Sequence, residues 1–415
     1  MINVSQAVIL CGGRGERLRP LTDHTPKPMV LVNGRPFLFY LLDQLSAQGI
    51  KKFMLLTGYL GHSISDYFGD GSALGWSITY SHRPVEWETA DRVSAVIEDL
   101  DDQFILLYSD NFAQFRLHDL IAENSKNKSA ITLSAVNKVP GNIEIGIDGI
   151  VLNYDESRTG SGSQFVEIGY ALIDKKRIIG YLTCVRETSF SSVIHQLVKD
   201  KQVSAIVIKT GYQSISDPLR LKATESHLVH KKILLVDRDG TLNVKPKSGE
   251  YVNTKADFHW IPSSRSAIKE LGEAGFSFII ITNQAGVALG KTSITDLHEI
   301  HEQLRADFDA DGLKLLDIYA CTEHWNSDSE LRKPKPGMFY LAANDHNFRL
   351  DHAIYVGDDL RDVHAAQNAG CRSLLISTSS SEVPDRIIEQ VAESFRHHVP
   401  TIIERYHCSE DFASK

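Results

Sequence analysis

No stretch of this 415-residue chain is apolar for long enough to cross a bilayer. The N-terminal apolar run, Ala7 to Cys11, stops at Gly12-Gly13, and no basic segment leads into it, so no signal peptide is expected. Positive charge is scarce as well: 44 Lys and Arg against 53 Asp and Glu leave a formal charge of −9. Phosphate-rich polymers and acidic membrane surfaces need a basic footprint, so nucleic acid and membrane are not expected partners. Small phosphorylated substrates need only a few local cations and stay open. The five cysteines, Cys11, Cys184, Cys321, Cys371 and Cys408, are odd in number and scattered. That excludes a disulfide framework and fits a reduced, cytoplasmic chain. Also missing are repeats of 20–50 residues, low-complexity tracts and a dinucleotide-type G-x-G-x-x-G.

What is present suits two soluble domains of roughly 200 residues each. Apolar runs at 6–10, 52–57, 77–82, 104–110 and 130–136 read as strands, with helical spacing at 36–49 and 89–100. Residues 143–174 read as short β-prone pieces broken by "SRTGSGS", an inserted hairpin or loop. A polar linker is expected over 222–232. The rhythm then restarts with strands at 233–237, 276–282, 314–321, 353–358 and 373–377. Such alternation predicts α/β folding around mostly parallel sheets.

In open α/β sheets, ligands sit beyond the carboxyl ends of strands. Gly12, Gly13 and Gly15 follow one such end, and glycine lets backbone N–H groups approach a phosphate closely. Arg14, Arg17, Arg19 and Lys27 add cations within G-G-x-G-x-R-L-x-P-L-T-x(4)-P-K-P, a far more specific pattern than a tight turn. On these residues, 1–228 resembles the sugar-1-phosphate nucleotidylyltransferases. The resemblance implies that Gly12, Gly13, Gly15 and Arg17 hold a nucleoside triphosphate. Arg17 and Lys27 would neutralise the charge that builds on the α-phosphorus and the pyrophosphate. Asp110 and Asp217 would hold Mg²⁺, and Glu167 and Gly169 the sugar. Two departures stand out: Glu88 in "WETA" occupies a glycine position of the base-reading turn, and "YDESR" (154–158) lacks the lysine that contacts the sugar phosphate. A carboxylate can accept both N–H donors of a guanine edge, so Glu88 points to GTP.

The second cluster is "ILLVDRDGTLN", which delivers Asp237 and Asp239 from a buried strand. Carboxylates two residues apart can divide labour, one attacking phosphorus while the other handles the leaving group's proton. Thr282 and Asn283, Arg332 and Lys333 in "LRKPKPGM", and "VGDDLRDVHAA" complete the set. In these ordered motifs residues 231–390 resemble the haloacid-dehalogenase-type phosphatases, in the branch that handles histidinol phosphate and heptose bisphosphate. The resemblance makes Asp237 the nucleophile and Asp239 the acid, then base. Thr282 and Lys333 would grip the phosphoryl oxygens, with Asn283 and Arg332 on the substrate. Asp358, Asp237 and Asp239, the last through its carbonyl, would hold Mg²⁺. Neither gap between motifs holds a large cap, so loops 243–260 and 284–291 should choose the substrate. Cys321 and His324 are too few soft ligands for structural zinc.

The implied fold is two Rossmann-like three-layer α/β domains in series, a nucleotidyltransferase domain over 1–228 and a phosphatase domain over 229–415. The two reactions fit consecutive steps, in which a sugar bisphosphate loses one phosphate and its anomeric phosphate is then activated with a nucleotide. The order matches heptose 1,7-bisphosphate going to a guanosine-diphosphate heptose. Two alternatives stay open: a hexose such as mannose, or a nucleotide-sugar sensor in front of an active phosphatase. Expected partners are small molecules; a homo-oligomer is open.

Overall fold

The computed structural model describes residues 4–157, 162–183, 187–247, 249–377 and 391–411, and the chain divides into two compact units, 1–228 and 229–415. In the first unit, Gln6–Cys11 is buried along its whole length because helices cover both faces of its sheet, so it reads as one apolar run. Ala7, Ile9 and Cys11 pack against the helix Phe37–Ala47, while Val8 and Leu10 face the other layer with Phe190–Lys199. Gln6–Cys11 pairs in parallel with Lys52–Thr57 on one side and Gln103–Tyr108 on the other, and Ser77–His82 extends the row. All four strands end at the same edge.

The hairpin option for 143–174 holds, and three expectations change. The region 143–174 is a hairpin, Ile143–Ile145 with Val151–Tyr154, followed by one ten-residue strand, Phe165–Asp174. That strand runs antiparallel between Gln103–Tyr108 and Ile131–Asn137, making the nine-stranded sheet mixed. Much of "SRTGSGS" lies outside the described residues. The presumed linker is largely helix, Pro218–Leu228, leaving only a few residues to join the units. The helix expected over 89–100 also stops early, at Ser94, because Val96 leaves helical geometry at φ −121° before a short 3₁₀ turn.

The second unit is a parallel sheet in the order Lys314–Cys321, Ser277–Asn283, Ile233–Val236, Ile354–Gly357, Arg372–Ile376 and Val391–Ala392. Leu234 and Val236 pack on Pro262–Glu273 and the C-terminal helix Phe395–Asp411. Ile233 and Leu235 pack on Gly337–His346 and Leu360–Ala369. Three layers follow from that alternation. The central strand and its two neighbours deliver Asp237, Thr282 with Asn283, and Asp358 to one edge.

Candidate active sites

In the first unit a cleft of about 580 Å³ opens over the strand ends. Gly12, Gly13, Gly15, Arg14, Arg17, Lys27, Glu88 and Asp110 all line it. Gly15 has φ 65°, and a Cβ there would stand 2.8 Å from Lys27 Cβ, so only glycine lets the loop close on that lysine. Thr22 pins the turn by donating its hydroxyl to the Gly15 carbonyl at 3.0 Å. Lys27 Nζ lies 2.7 Å from Asp110 Oδ2 in a half-buried ion pair. Arg14 faces Glu86 at 3.7 Å across the rim. Glu88 is exposed at the mouth, preceding the helix Thr89–Ser94 without capping it through its side chain.

Other expected residues stand elsewhere. Arg19 pairs with Glu16 and Asp23 and does not line the cleft. Asp217 is not among the lining residues either; its carboxylate accepts the Arg220 N–H at 3.0 Å and faces Arg220 Nε at 3.4 Å, so it is spent on its own helix. That bonding, with Arg220, keeps the Asp217 carboxyl below its ordinary range. Ser216 reaches the cleft instead. Glu167 and Gly169 form a bulge behind the cleft: Gly169 donates to Glu167 Oε1 at 2.5 Å, and its positive φ brings it against the ring of the lining Tyr108. Of the carboxylates expected to hold Mg²⁺, Asp110 lines the cleft, and Asp217 follows the lining Ser216.

In the second unit a pocket of about 500 Å³ gathers Asp237, Asp239, Thr282, Asn283, Arg332, Lys333 and Asp358. Asp237 follows its strand end and donates its N–H to Val356 O at 2.9 Å, which locks it to the neighbouring strand. Lys333 Nζ is the hub, 2.8 Å from Asp237 Oδ1, 2.7 Å from Asp362 Oδ1 and 2.7 Å from the Tyr355 hydroxyl. Asn283 holds the lysine's backbone, donating to Lys333 O and accepting from Lys333 N, both at 3.1 Å. Burial, and then the Asp362 charge, push the Asp237 carboxyl up to about 8, against the pull of Lys333. Burial disfavours the Lys333 ammonium, but Asp237 and Asp362 outweigh it and keep the lysine charged.

Asp239 behaves oppositely. Burial would raise its carboxyl, yet Arg238 at 2.9 Å, Gln284 at 2.8 Å and Asn243 at 3.0 Å hold it below the ordinary range. This conformer presents the base form; an acid role requires Asp239 to leave Arg238. Gln284 also donates to Thr282 Oγ1 at 2.8 Å, joining the hydroxyl to the same network. Gly240, at φ 89°, abuts the Asp358 carboxylate so closely that any Cβ would collide with it.

Asp237, Asp358 and Asp362 bring carboxylate oxygens within 4.8 Å of one another, the one such group among the described residues. Both Asp362 oxygens are engaged, by Lys333, Tyr355 and the Asp359 N–H. Asp358 Oδ2 meets Lys245 Nζ at 2.6 Å and Asp237 Oδ1 meets Lys333 Nζ at 2.8 Å, so each of these carboxylates has one oxygen engaged, and the hard donor chemistry of the pair fits Mg²⁺. Sequence reasoning missed Asp362, four residues past Asp358 in the quoted "VGDDLRDVHAA", and the rim residues Lys245, Lys247, Trp325 and Arg361. It also missed Arg92 in the first cleft. Lys245 and Lys247 do fall in the loop expected to choose the substrate. Cys321 is buried at its strand end, and His324 Nδ1 accepts from the Asn326 N–H at 3.1 Å.

Comparison with known proteins follows the division into units. The family model described as nucleotidyl transferase matches residues 6–147, and that described as polynucleotide kinase 3 phosphatase matches 232–371. Over 151 residues the chain is 34% identical to D-glycero-β-D-manno-heptose-1,7-bisphosphate 7-phosphatase of Pseudomonas putida, covering 36% of this chain and 85% of that protein. The chain belongs to this phosphatase family. Ahead of the phosphatase it carries a nucleotidyltransferase unit, and it is an enzyme of both families. That unit is 28% identical over 223 residues to a Bacillus subtilis protein named as a probable glucose-1-phosphate cytidylyltransferase, covering 48% of this chain and 86% of that protein. A solved D,D-heptose 1,7-bisphosphate phosphatase from B. bronchiseptica, complexed with magnesium and phosphate, is 27% identical over 42% of this chain and 98% of that one, with a TM-score of 0.38. No helix among the described residues is long and apolar enough to cross a membrane.

Proposed function

We propose that the chain carries out two consecutive steps in making a nucleotide-activated heptose. The second unit removes the 7-phosphate of D-glycero-D-manno-heptose 1,7-bisphosphate. The first transfers a nucleoside monophosphate, GMP from GTP, to the resulting heptose 1-phosphate and releases pyrophosphate. The observation that carries the first step is the buried Asp237–Lys333–Asp362 triplet, with Asp239 two residues from the nucleophile.

In the phosphatase unit an Asp237 oxygen attacks the phosphorus, and the P–O bond to the sugar breaks as Asp239, protonated and turned from Arg238, gives the leaving oxygen its proton. Asp239 then takes a proton from water, whose oxygen attacks the phospho-aspartate and frees phosphate and Asp237. Lys333 and Thr282 grip the phosphoryl oxygens, while Asn283 and Arg332 meet the substrate. Mg²⁺ held by Asp237, Asp358 and the Asp239 carbonyl would offset repulsion between carboxylate and phosphate. In the transferase unit the sugar phosphate oxygen attacks the α-phosphorus in line, so positioning and cations supply the catalysis. Gly12, Gly13, Gly15 and Arg17 hold the triphosphate. Lys27 neutralises the developing charge and Glu167 with Gly169 shape the sugar side. Asp110 would be the Mg²⁺ carboxylate there.

Measuring phosphate release from the bisphosphate, and pyrophosphate release across four nucleoside triphosphates with several sugar 1-phosphates, tests both halves. Phosphate release without pyrophosphate release from any pair would favour a nucleotide-sugar sensor in the first unit. The diversion of Asp217 to its own helix supports that second reading.

A further inference from the structure

Arg92 is the largest charged side chain sunk into the wall of the first cleft, and only 3% of the residue is exposed. Its guanidinium donates to three carbonyls: Thr57 O at 2.8 Å, Pro84 O at 2.6 Å and Trp87 O at 3.1 Å. Thr57 ends a central strand, whereas Pro84 and Trp87 belong to the loop that carries Glu86 and Glu88 to the cleft mouth. The same guanidinium lies under the glycine loop. A Cβ on Gly12 would stand 2.5 Å from Arg92 Cζ, and one on Gly58 would stand 2.9 Å from Nη2. Gly12 is therefore glycine because the arginine fills the space its side chain would need. Gly13, by contrast, borders open space.

The charge itself has no carboxylate within ion-pair distance among the described residues; Glu86 and Glu88 act on it only from farther off, and Glu86 faces Arg14. Buried cations are normally paired. Three neutral carbonyls satisfy hydrogen bonds but do not neutralise a guanidinium, and the open side of this one is the cleft.

We infer that Arg92 is a positioning residue for the nucleotide, clamping the base-side loop Pro84–Trp87 to the strand end under the glycine loop and holding there a charge that the bound triphosphate neutralises. This rests on the nucleotidyltransferase reading of the first unit. Because one planar group touches both loops, triphosphate binding and the placing of Glu88 become a single event. Lysine could supply the charge but has no planar fork to hold three carbonyls at once.

The test is direct binding of each of the four nucleoside triphosphates to the full chain by calorimetry, with phosphate release by the second unit as the control for folding. Arg92→Met should weaken binding of the preferred triphosphate by about tenfold or more and flatten its salt dependence, since a cation facing phosphate is lost. Arg92→Lys should keep affinity within about threefold while erasing the preference among bases, because charge survives and the clamp does not. Gly12→Ala, which presses the guanidinium from the other side, should erase the same preference and serves if the Arg92 variants fold poorly. Wild-type base preference in Arg92→Lys, or wild-type affinity in Arg92→Met, would overturn the inference. A wild-type chain that binds no triphosphate would instead overturn the transferase reading beneath it.

Discussion

Lys333 is the residue on which the phosphatase unit turns, because it is buried between two carboxyl groups and is the cation that both face. Replacing it with Met would leave Asp237 and Asp362 facing one another in a dry site. Breaking a buried ion pair from one side costs about 3–5 kcal/mol. Lys333→Met should therefore shift urea unfolding of this unit by an amount in that range, besides abolishing phosphate release. A shift below about 1 kcal/mol would mean that the pocket is wetter than its burial suggests. Glu88 invites a different experiment, since it stands exposed at the cleft mouth with no capping duty. If its carboxylate accepts two guanine N–H donors, Glu88→Ala should lower activity with GTP by about tenfold or more, each charge-assisted bond contributing about 1.5–3 kcal/mol. Activity with thymidine or uridine triphosphate should hardly change. Equal losses across the bases would return Glu88 to the solvent surface.

Among the elements, the central strands and the motifs at their ends were legible in sequence because burial on both faces leaves an unbroken apolar run, and the chemistry begins where the run stops. Phe165–Asp174 was legible only through its motif, and its antiparallel place was not, because a bulge at Glu167–Ala171 breaks its pairing and the glycines before it read as a loop. Asp217 is ambiguous for a related reason, since an aspartate just before a helix can face a ligand or cap the helix, and here its Oδ1 accepts the Arg220 N–H. Asp362 lay in quoted text and Arg92 in the helix expected over 89–100, but both needed tertiary neighbours to acquire meaning. The C-terminal helix holds another such case, His398, which is fully buried with Nε2 3.0 Å from Leu375 O and no partner for Nδ1 among the described residues. Burial depresses its pKa below the ordinary 6.5. A folded-state pKa below the unfolded one gives stability that is complete above pH 6.5 and is lost as pH falls beneath it. Unfolding midpoints of the second unit should thus drop between pH 6.5 and 5, by at most about 1.4 kcal/mol per pH unit from this residue. His398→Gln should show a shallower decline; an identical slope would assign the loss to other groups.

At the scale of the whole molecule, the two clefts belong to separate sheets with separate cores, each unit closing its own layers. No residue lining one pocket lines the other. Their chemistries should be separable by single substitutions. Asp237→Asn keeps the shape and the neighbours of the nucleophile, but an amide cannot form the phospho-enzyme, so phosphate release from the bisphosphate should fall by a factor of about 10³ or more. Pyrophosphate release from a supplied heptose 1-phosphate should remain. Asp110→Asn removes the carboxylate beside Lys27 and should do the reverse, silencing nucleotidyl transfer and sparing phosphate release. Supplied with the bisphosphate and a nucleoside triphosphate, either variant alone should make no nucleotide sugar. A mixture of the two should restore it, because heptose 1-phosphate released by one can diffuse to the other. If either substitution silenced both reactions in a chain that still unfolds cooperatively, the two sites would not be independent and the reading of two consecutive activities would fail. Restoration in the mixture at a rate close to that of the unaltered chain would further show that the intermediate passes through solution.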